Sequence, residues 1–102
     1  MASAAMNIIR QLIPRRERRI TVSLQATLIC AGTKIPVHLL DLSRDGALAH
    51  AKLPPATNAI VWLLSRGVEM PARIAWSRGD RLGLSFSKSL SDVQFKALAQ
   101  PY

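Results

Sequence analysis

Two short clusters in this chain carry groups able to do chemistry. The first is Pro14-Arg15-Arg16-Glu17-Arg18-Arg19, which holds four of the chain's ten arginines. A guanidinium presents a rigid planar fork of N–H donors that fits two phosphate oxygens or the O6/N7 edge of guanine, and its flat face stacks on a base. Arg15 and Arg19 are four residues apart. In a helical turn they would face one way; in an extended arm they could approach a ligand from two sides. The second cluster is Asp41-Leu42-Ser43-Arg44-Asp45-Gly46. A carboxylate accepts hydrogen bonds from the N1–H and N2–H₂ donors of guanine, and a hydroxyl beside it donates or accepts. Glycine permits a tight turn and a close approach of backbone to a planar group. Each cluster also has an ordinary reading when taken alone. The arginines could be a solvated charge run, and Asp41 and Ser43 could satisfy the backbone of their own turn.

The rest of the composition narrows the chemistry. The chain has 102 residues, enough for one domain with one core. Its net charge is +8, with 14 basic against 6 acidic residues, which favours an anionic partner: a nucleotide, a nucleic acid or an acidic surface. The single cysteine, Cys30, allows no intrachain disulfide and fits a reducing cytoplasm. It shares the inward parity of its strand and reads as a small core residue. No apolar run approaches the ~20 residues of a membrane-spanning helix, and residues 1–13 lack the basic start and long apolar stretch of a signal peptide. His38 and His50 fall on separate strands with no further ligand evident, so a metal centre is not expected. There is no pair of carboxylates in a common context and no nucleophile beside a base, which makes a binding module the expectation and not an enzyme.

The elements that must position the two clusters are read from periodicity. From Ile20 to Cys30 apolar and polar residues alternate strictly, as in a half-buried strand. Ala31-Gly32-Thr33 is a turn, and a second strand runs from Lys34 to Leu42. Pro36 argues there for an edge or a bulge, and the broken parity at Leu39-Leu40 predicts an irregularity just before Asp41. Gly46 is expected to supply conformational freedom to the turn that follows. Ala47–Ala51 is a short third strand. Ala59–Leu64 is a continuous apolar run, expected to be a strand covered on both faces. Val68, Met70, Ala72, Ile74 and Trp76 share one parity, followed by a hairpin turn at Arg78-Gly79-Asp80 and a last strand with Leu82, Leu84 and Phe86 inward. On this parity Trp76 belongs to the core, although it could also line a site. Gly83 marks a bend or the close approach of another group. Ser91-Asp92-Val93-Gln94 fits a capping box, with Leu90 and Phe95 at the staple positions, and starts a short helix with Val93, Ala97 and Leu98 inward that Pro101 stops. Before the first strand, Met6, Ile9 and Ile13 could make one side of a short amphipathic helix, or that stretch could be a frayed arm. Six short strands with tight turns and a terminal helix predict a mainly β fold, a closed or nearly closed antiparallel barrel.

The combination is more specific than either part. RxxxR at Arg15 and Arg19, followed 22 residues after Arg19 by DxSxxG at Asp41, Ser43 and Gly46, resembles the PilZ domain family. Leu40–Ala47 resembles that family's strand-turn-strand, and Ala72–Trp76 with Leu82–Phe86 resembles its late hairpin. The resemblance runs from about Pro14 to Ala99. It implies a six-stranded PilZ-like β-barrel with a C-terminal helix that binds the bacterial second messenger cyclic di-GMP. It further implies that Arg15 and Arg19 contact phosphates and guanine, and that Asp41, Ser43 and Gly46 surround a guanine. Arg16 is an additional candidate contact.

The expectation from the sequence is therefore an arm at 1–13 and a single domain at 14–102. The domain would be a cytoplasmic cyclic di-GMP receptor without a cofactor, metal or membrane span, acting on a downstream protein partner. Its arginine arm would order around the ligand and change the surface offered to that partner. The alternatives are a small basic barrel binding RNA or single-stranded DNA, against which the scarcity of stacking aromatics counts, and a module acting through protein contacts alone.

Overall fold

The computed structural model of the protein describes residues 18–100. The possible helix or arm at 1–13, and Arg15 and Arg16, lie outside the described residues. Within them the chain forms β1 (Ile20–Cys30), β2 (Thr33–Leu42), β3 (Gly46–His50), β4 (Ile60–Ser65), β5 (Val68–Arg78), β6 (Arg81–Phe86) and α1 (Asp92–Ala99). All strand pairs are antiparallel, and the barrel closes in the order β1-β2-β3-β6-β5-β4.

The inward-facing sets meet in one core. Leu28, Leu39, Leu63, Met70, Ile74 and Leu82 are fully buried there. Burying a leucine, isoleucine or methionine side chain is worth ~1.5–3 kcal/mol, and these six are part of a larger buried apolar set that all six strands supply. Cys30 is half-buried and packs against this core. Pro36 pairs with Thr27 of β1, while the β2–β3 pairing begins only at His38. The proline thus occupies a stretch of β2 that is hydrogen-bonded on one side alone, a local edge inside a closed barrel.

Two expectations about burial are corrected. Strand β4 is covered on one face only: Val61, Leu63 and Ser65 point inward, while Ile60 and Trp62 are exposed. An uninterrupted apolar run does not reveal which face lacks a neighbour. In α1 the capping box forms as expected, with the Ser91 hydroxyl accepting from Gln94 N–H and the Gln94 side chain accepting from Ser91 N–H. Its inward face, however, is Phe95, Ala97 and Leu98, which join the core together with Leu90. Val93, expected inward, is 78% exposed. The helix ends at Ala99, and Gln100 is extended, the conformation favoured immediately before a proline.

Candidate functional site

The site is built by two bulges and one turn. In the β2–β3 ladder Leu39 pairs with Ala49 but Asp41 pairs with Leu48, so Leu40 is an extra residue. An extra residue reverses the alternation beyond it. Leu39 and Leu42 are both buried as a result, and Asp41 is delivered to the outer surface. The same device operates across the barrel wall. In the β5–β6 ladder Ile74 pairs with Leu84 and Trp76 with Gly83, leaving Ala75 extra. Ile74 stays in the core while Trp76 turns outward and is 44% exposed. The inward parity expected for Trp76 fails for this reason.

The reserved space at Gly83 is taken by the same tryptophan. A Cβ on Gly83 would lie 2.2 Å from Trp76 Nε1 and 2.7 Å from Cε2, so the indole rests directly on the glycine backbone. The close approach expected at Gly83 is thus that of Trp76.

The turn after β2 is held by its own polar groups. Ser43 is 1% exposed. Its Oγ accepts from Asp45 N–H at 3.2 Å and Gly46 N–H at 3.1 Å, and Ser43 N–H donates to the Gly46 carbonyl at 2.8 Å. Gly46 does not have a left-handed φ, which corrects the expectation that it supplies conformational freedom. It is required for space: a Cβ there would lie 2.3 Å from the Leu84 carbonyl oxygen. The turn is also fastened to the C-terminal segment. Phe86 N–H donates to the Asp45 carbonyl at 2.9 Å and Leu90 N–H to the Arg44 carbonyl at 2.8 Å, and the Ser89 hydroxyl donates to the Asp45 carboxylate. Arg44 reaches away from the turn to Asp92 Oδ1 at 2.8 Å, with its guanidinium 4.8 Å from the Phe95 ring centre. The sequence offered no role for Arg44; the alternation of a short turn gives no direction to its side chains.

These elements enclose a cleft of about 480 Å³, within the range of small-molecule sites. Its lining includes Arg19, Asp41, Ser43, Gly46, Leu48 and Trp76. Arg19 Nη1 donates to Asp41 Oδ1 at 2.8 Å, so a residue just before β1 and one near the end of β2 meet at the rim. Of the six residues singled out by type and spacing, Arg19, Asp41, Ser43 and Gly46 therefore lie together, and Arg15 and Arg16 are outside the described residues. Leu48 was not singled out, because nothing in a short strand of small residues marks it. The cleft combines a guanidinium, a carboxylate, an exposed indole face and glycine-lined backbone. That set can hold a planar heterocycle with adjacent N–H donors and a nearby anionic group. Among the described residues no helix is long and apolar enough to cross a membrane.

Comparison with known proteins agrees with the architecture. No curated protein matches the chain. Among solved structures, the PilZ domain of CeSA from a cellulose-synthesizing bacterium superposes with a TM-score of 0.62 at 20% identity, covering 78% of this chain and 90% of that one. PlzA of Borreliella burgdorferi, solved in complex with c-di-GMP, superposes with a TM-score of 0.67 at 16% identity over 93% of this chain. This chain spans 43% of PlzA. At these identities the likeness is one of fold. The PilZ domain family model matches residues 14–100, most of the sequence and both arginine and DxSxxG clusters, and the chain belongs to the PilZ domain family.

Proposed function

We propose that the protein is a bacterial cytoplasmic receptor for cyclic di-GMP, a regulatory binding module and not an enzyme. The observation that carries this reading is the meeting of Arg19 and Asp41 at 2.8 Å on the rim of one cleft walled by Trp76. Membership of the PilZ family and the c-di-GMP complex of PlzA support the same ligand.

The roles follow from the chemistry of each group. Arg19, with Arg15 and Arg16 from the preceding arm, supplies guanidinium forks to the ligand's phosphates and to a guanine edge. Asp41 accepts from guanine N1–H and N2–H₂. The Arg19 bond to Oδ1 orients the carboxylate, and Oδ2 with the second lone pair of Oδ1 accepts the two guanine donors. Adenine lacks this donor pair, so the carboxylate discriminates between purines. The Trp76 face stacks on a base. Ser43, its hydroxyl bonded to Asp45 N–H and Gly46 N–H, holds the turn that follows Asp41, and Gly46 keeps the backbone low under the ligand. Binding orders residues 14–19 over the cleft and alters the surface presented to a downstream protein.

Calorimetric titration of the purified chain with cyclic di-GMP, GTP and a short single-stranded oligonucleotide tests the reading. Saturable heat at micromolar cyclic di-GMP is expected, with GTP much weaker. No saturable heat with cyclic di-GMP, alongside binding of the oligonucleotide, would replace this function by nucleic-acid binding.

A further inference from the structure

One rung beyond the cleft, the same outer face of the barrel carries a basic row. Trp76, Gly83 and Leu48 form the cleft rung across β5, β6 and β3. Two residues further along each strand, Arg78 stands opposite Arg81, Arg81 opposite His50, and His50 opposite His38. The row thus crosses four neighbouring strands, and Lys52 lines the same shallow surface as the two histidines. Arg78 and Arg81 are exposed, and like charges placed directly opposite each other destabilise a ladder. Among the described residues neither has a carboxylate within ion-pair distance. Asp80, the acid of their hairpin, is engaged by His50 Nε2 at 3.0 Å, and His38 Nε2 bonds the Ser23 hydroxyl at 2.9 Å. An opposed arginine pair that costs stability and has no internal counter-charge is suited to an external anion.

We propose that this row docks an acidic helix of a protein partner, and that ligand in the adjacent cleft weakens the docking. Neighbouring strands lie ~4.8 Å apart, and residues three or four apart on a helix have Cβ atoms ~5–6 Å apart. A helix laid across β5 and β6 therefore brings one carboxylate over Arg78 and the next over Arg81. The row has no exposed aromatic of its own on which bases could stack, which disfavours a single-stranded nucleic acid. The coupling rests on the ligand proposed above. The base stacked on Trp76 would sit about one rung, ~6.6 Å, from the row, and the two negative charges that the ligand brings into the same cleft oppose an acidic partner. Linkage makes the effect mutual.

The test is fluorescence anisotropy of a labelled helical peptide with glutamates at i, i+4 spacing, titrated with the full chain at low salt. Saturable binding is expected, weakened about tenfold or more in Arg78→Gln/Arg81→Gln, with that variant's fold checked by circular dichroism and its cyclic di-GMP affinity kept within about threefold. Saturating cyclic di-GMP should weaken the peptide about threefold or more. Equal peptide binding by the wild type and the variant would overturn the docking surface. Tighter binding of a DNA duplex than of the peptide, lost in the variant, would reassign the row to nucleic acid. Peptide affinity unchanged by a ligand that does bind would overturn the coupling alone. Failure of cyclic di-GMP to bind at all would remove the ligand reading and the coupling with it, while the peptide result stood.

Discussion

Arg19 and Asp41, 22 residues apart in sequence, share a hydrogen bond of 2.8 Å at the mouth of the cleft. Their side chains are 53% and 26% exposed, and an ion pair in that setting contributes only ~0–1 kcal/mol to stability. Their juxtaposition therefore adds little to the fold, and the proposed role of the pair is in ligand binding. Asp41→Ala should weaken cyclic di-GMP at least about tenfold, since an unpartnered ligand donor costs ~1–3 kcal/mol, with little change in denaturant midpoint. In a double-mutant cycle with Arg19→Ala, measured calorimetrically, the two losses should not add, because each residue orients the other. Additive losses would mean that they act separately.

Gly83 and Trp76 form one wall of the cleft. Gly83→Ala places a methyl group where the indole nitrogen lies and must swing Trp76 aside. In a Trp62→Phe background, the remaining tryptophan emission should shift in Gly83→Ala, and ligand-induced changes in that emission should be reduced along with affinity. An unaltered spectrum would show that the indole does not depend on Gly83.

At Gly46 the obstacle is backbone: an alanine methyl carbon would stand 2.3 Å from the Leu84 carbonyl oxygen. Backbone cannot rotate away as a side chain does, so Gly46→Ala should cost about 1–3 kcal/mol by urea denaturation. Gly32 offers a contrast, with φ +82° and open space around it. Alanine there should cost about 1 kcal/mol, through conformation alone. Equal or reversed penalties would contradict the steric account.

Arg44 joins the turn after β2 to α1. Its ion pair with Asp92 is exposed, with side chains 43% and 84% accessible, and contributes little. The guanidinium over Phe95 is the stronger contact, worth about 0.5–1 kcal/mol. Arg44→Ala should therefore lower stability by about 1 kcal/mol, whereas Asp92→Asn should change it by less than about 0.5 kcal/mol. Urea midpoints of the two variants distinguish the contributions; equal losses would put the ion pair on the same footing as the ring contact.

The arm itself has a direct assay. If residues 14–19 close over the ligand, amide hydrogen exchange at residues 15–19 should slow in the presence of cyclic di-GMP, while the β4 strand should be unaffected. Identical exchange with and without ligand would separate binding from any ordering of the arm.

Much of this was legible in the sequence, for a local reason. Strict alternation from Ile20 to Cys30 and from Val68 to Ile74 marks strands because side chains there point alternately to the core and to water. Ser91 and Gln94 mark the helix start because they satisfy each other's backbone. The sequence alone also placed an irregularity before Asp41, and at Gly83 it left a bend or a close contact open, of which the structure shows the contact. Tertiary structure decided which way the outlying residues face. One inserted residue, Leu40 or Ala75, inverts everything beyond it, so Asp41 and Trp76 came to one outer face against the parity that the tryptophan's own strand suggests. Likewise Ile60 and Trp62 are exposed, and Gly46 is required by a carbonyl of a distant strand, because coverage and clearance belong to neighbours brought in by the closing of the barrel. A pattern along one strand records its own pleat; only the pairing of strands determines what stands opposite each residue.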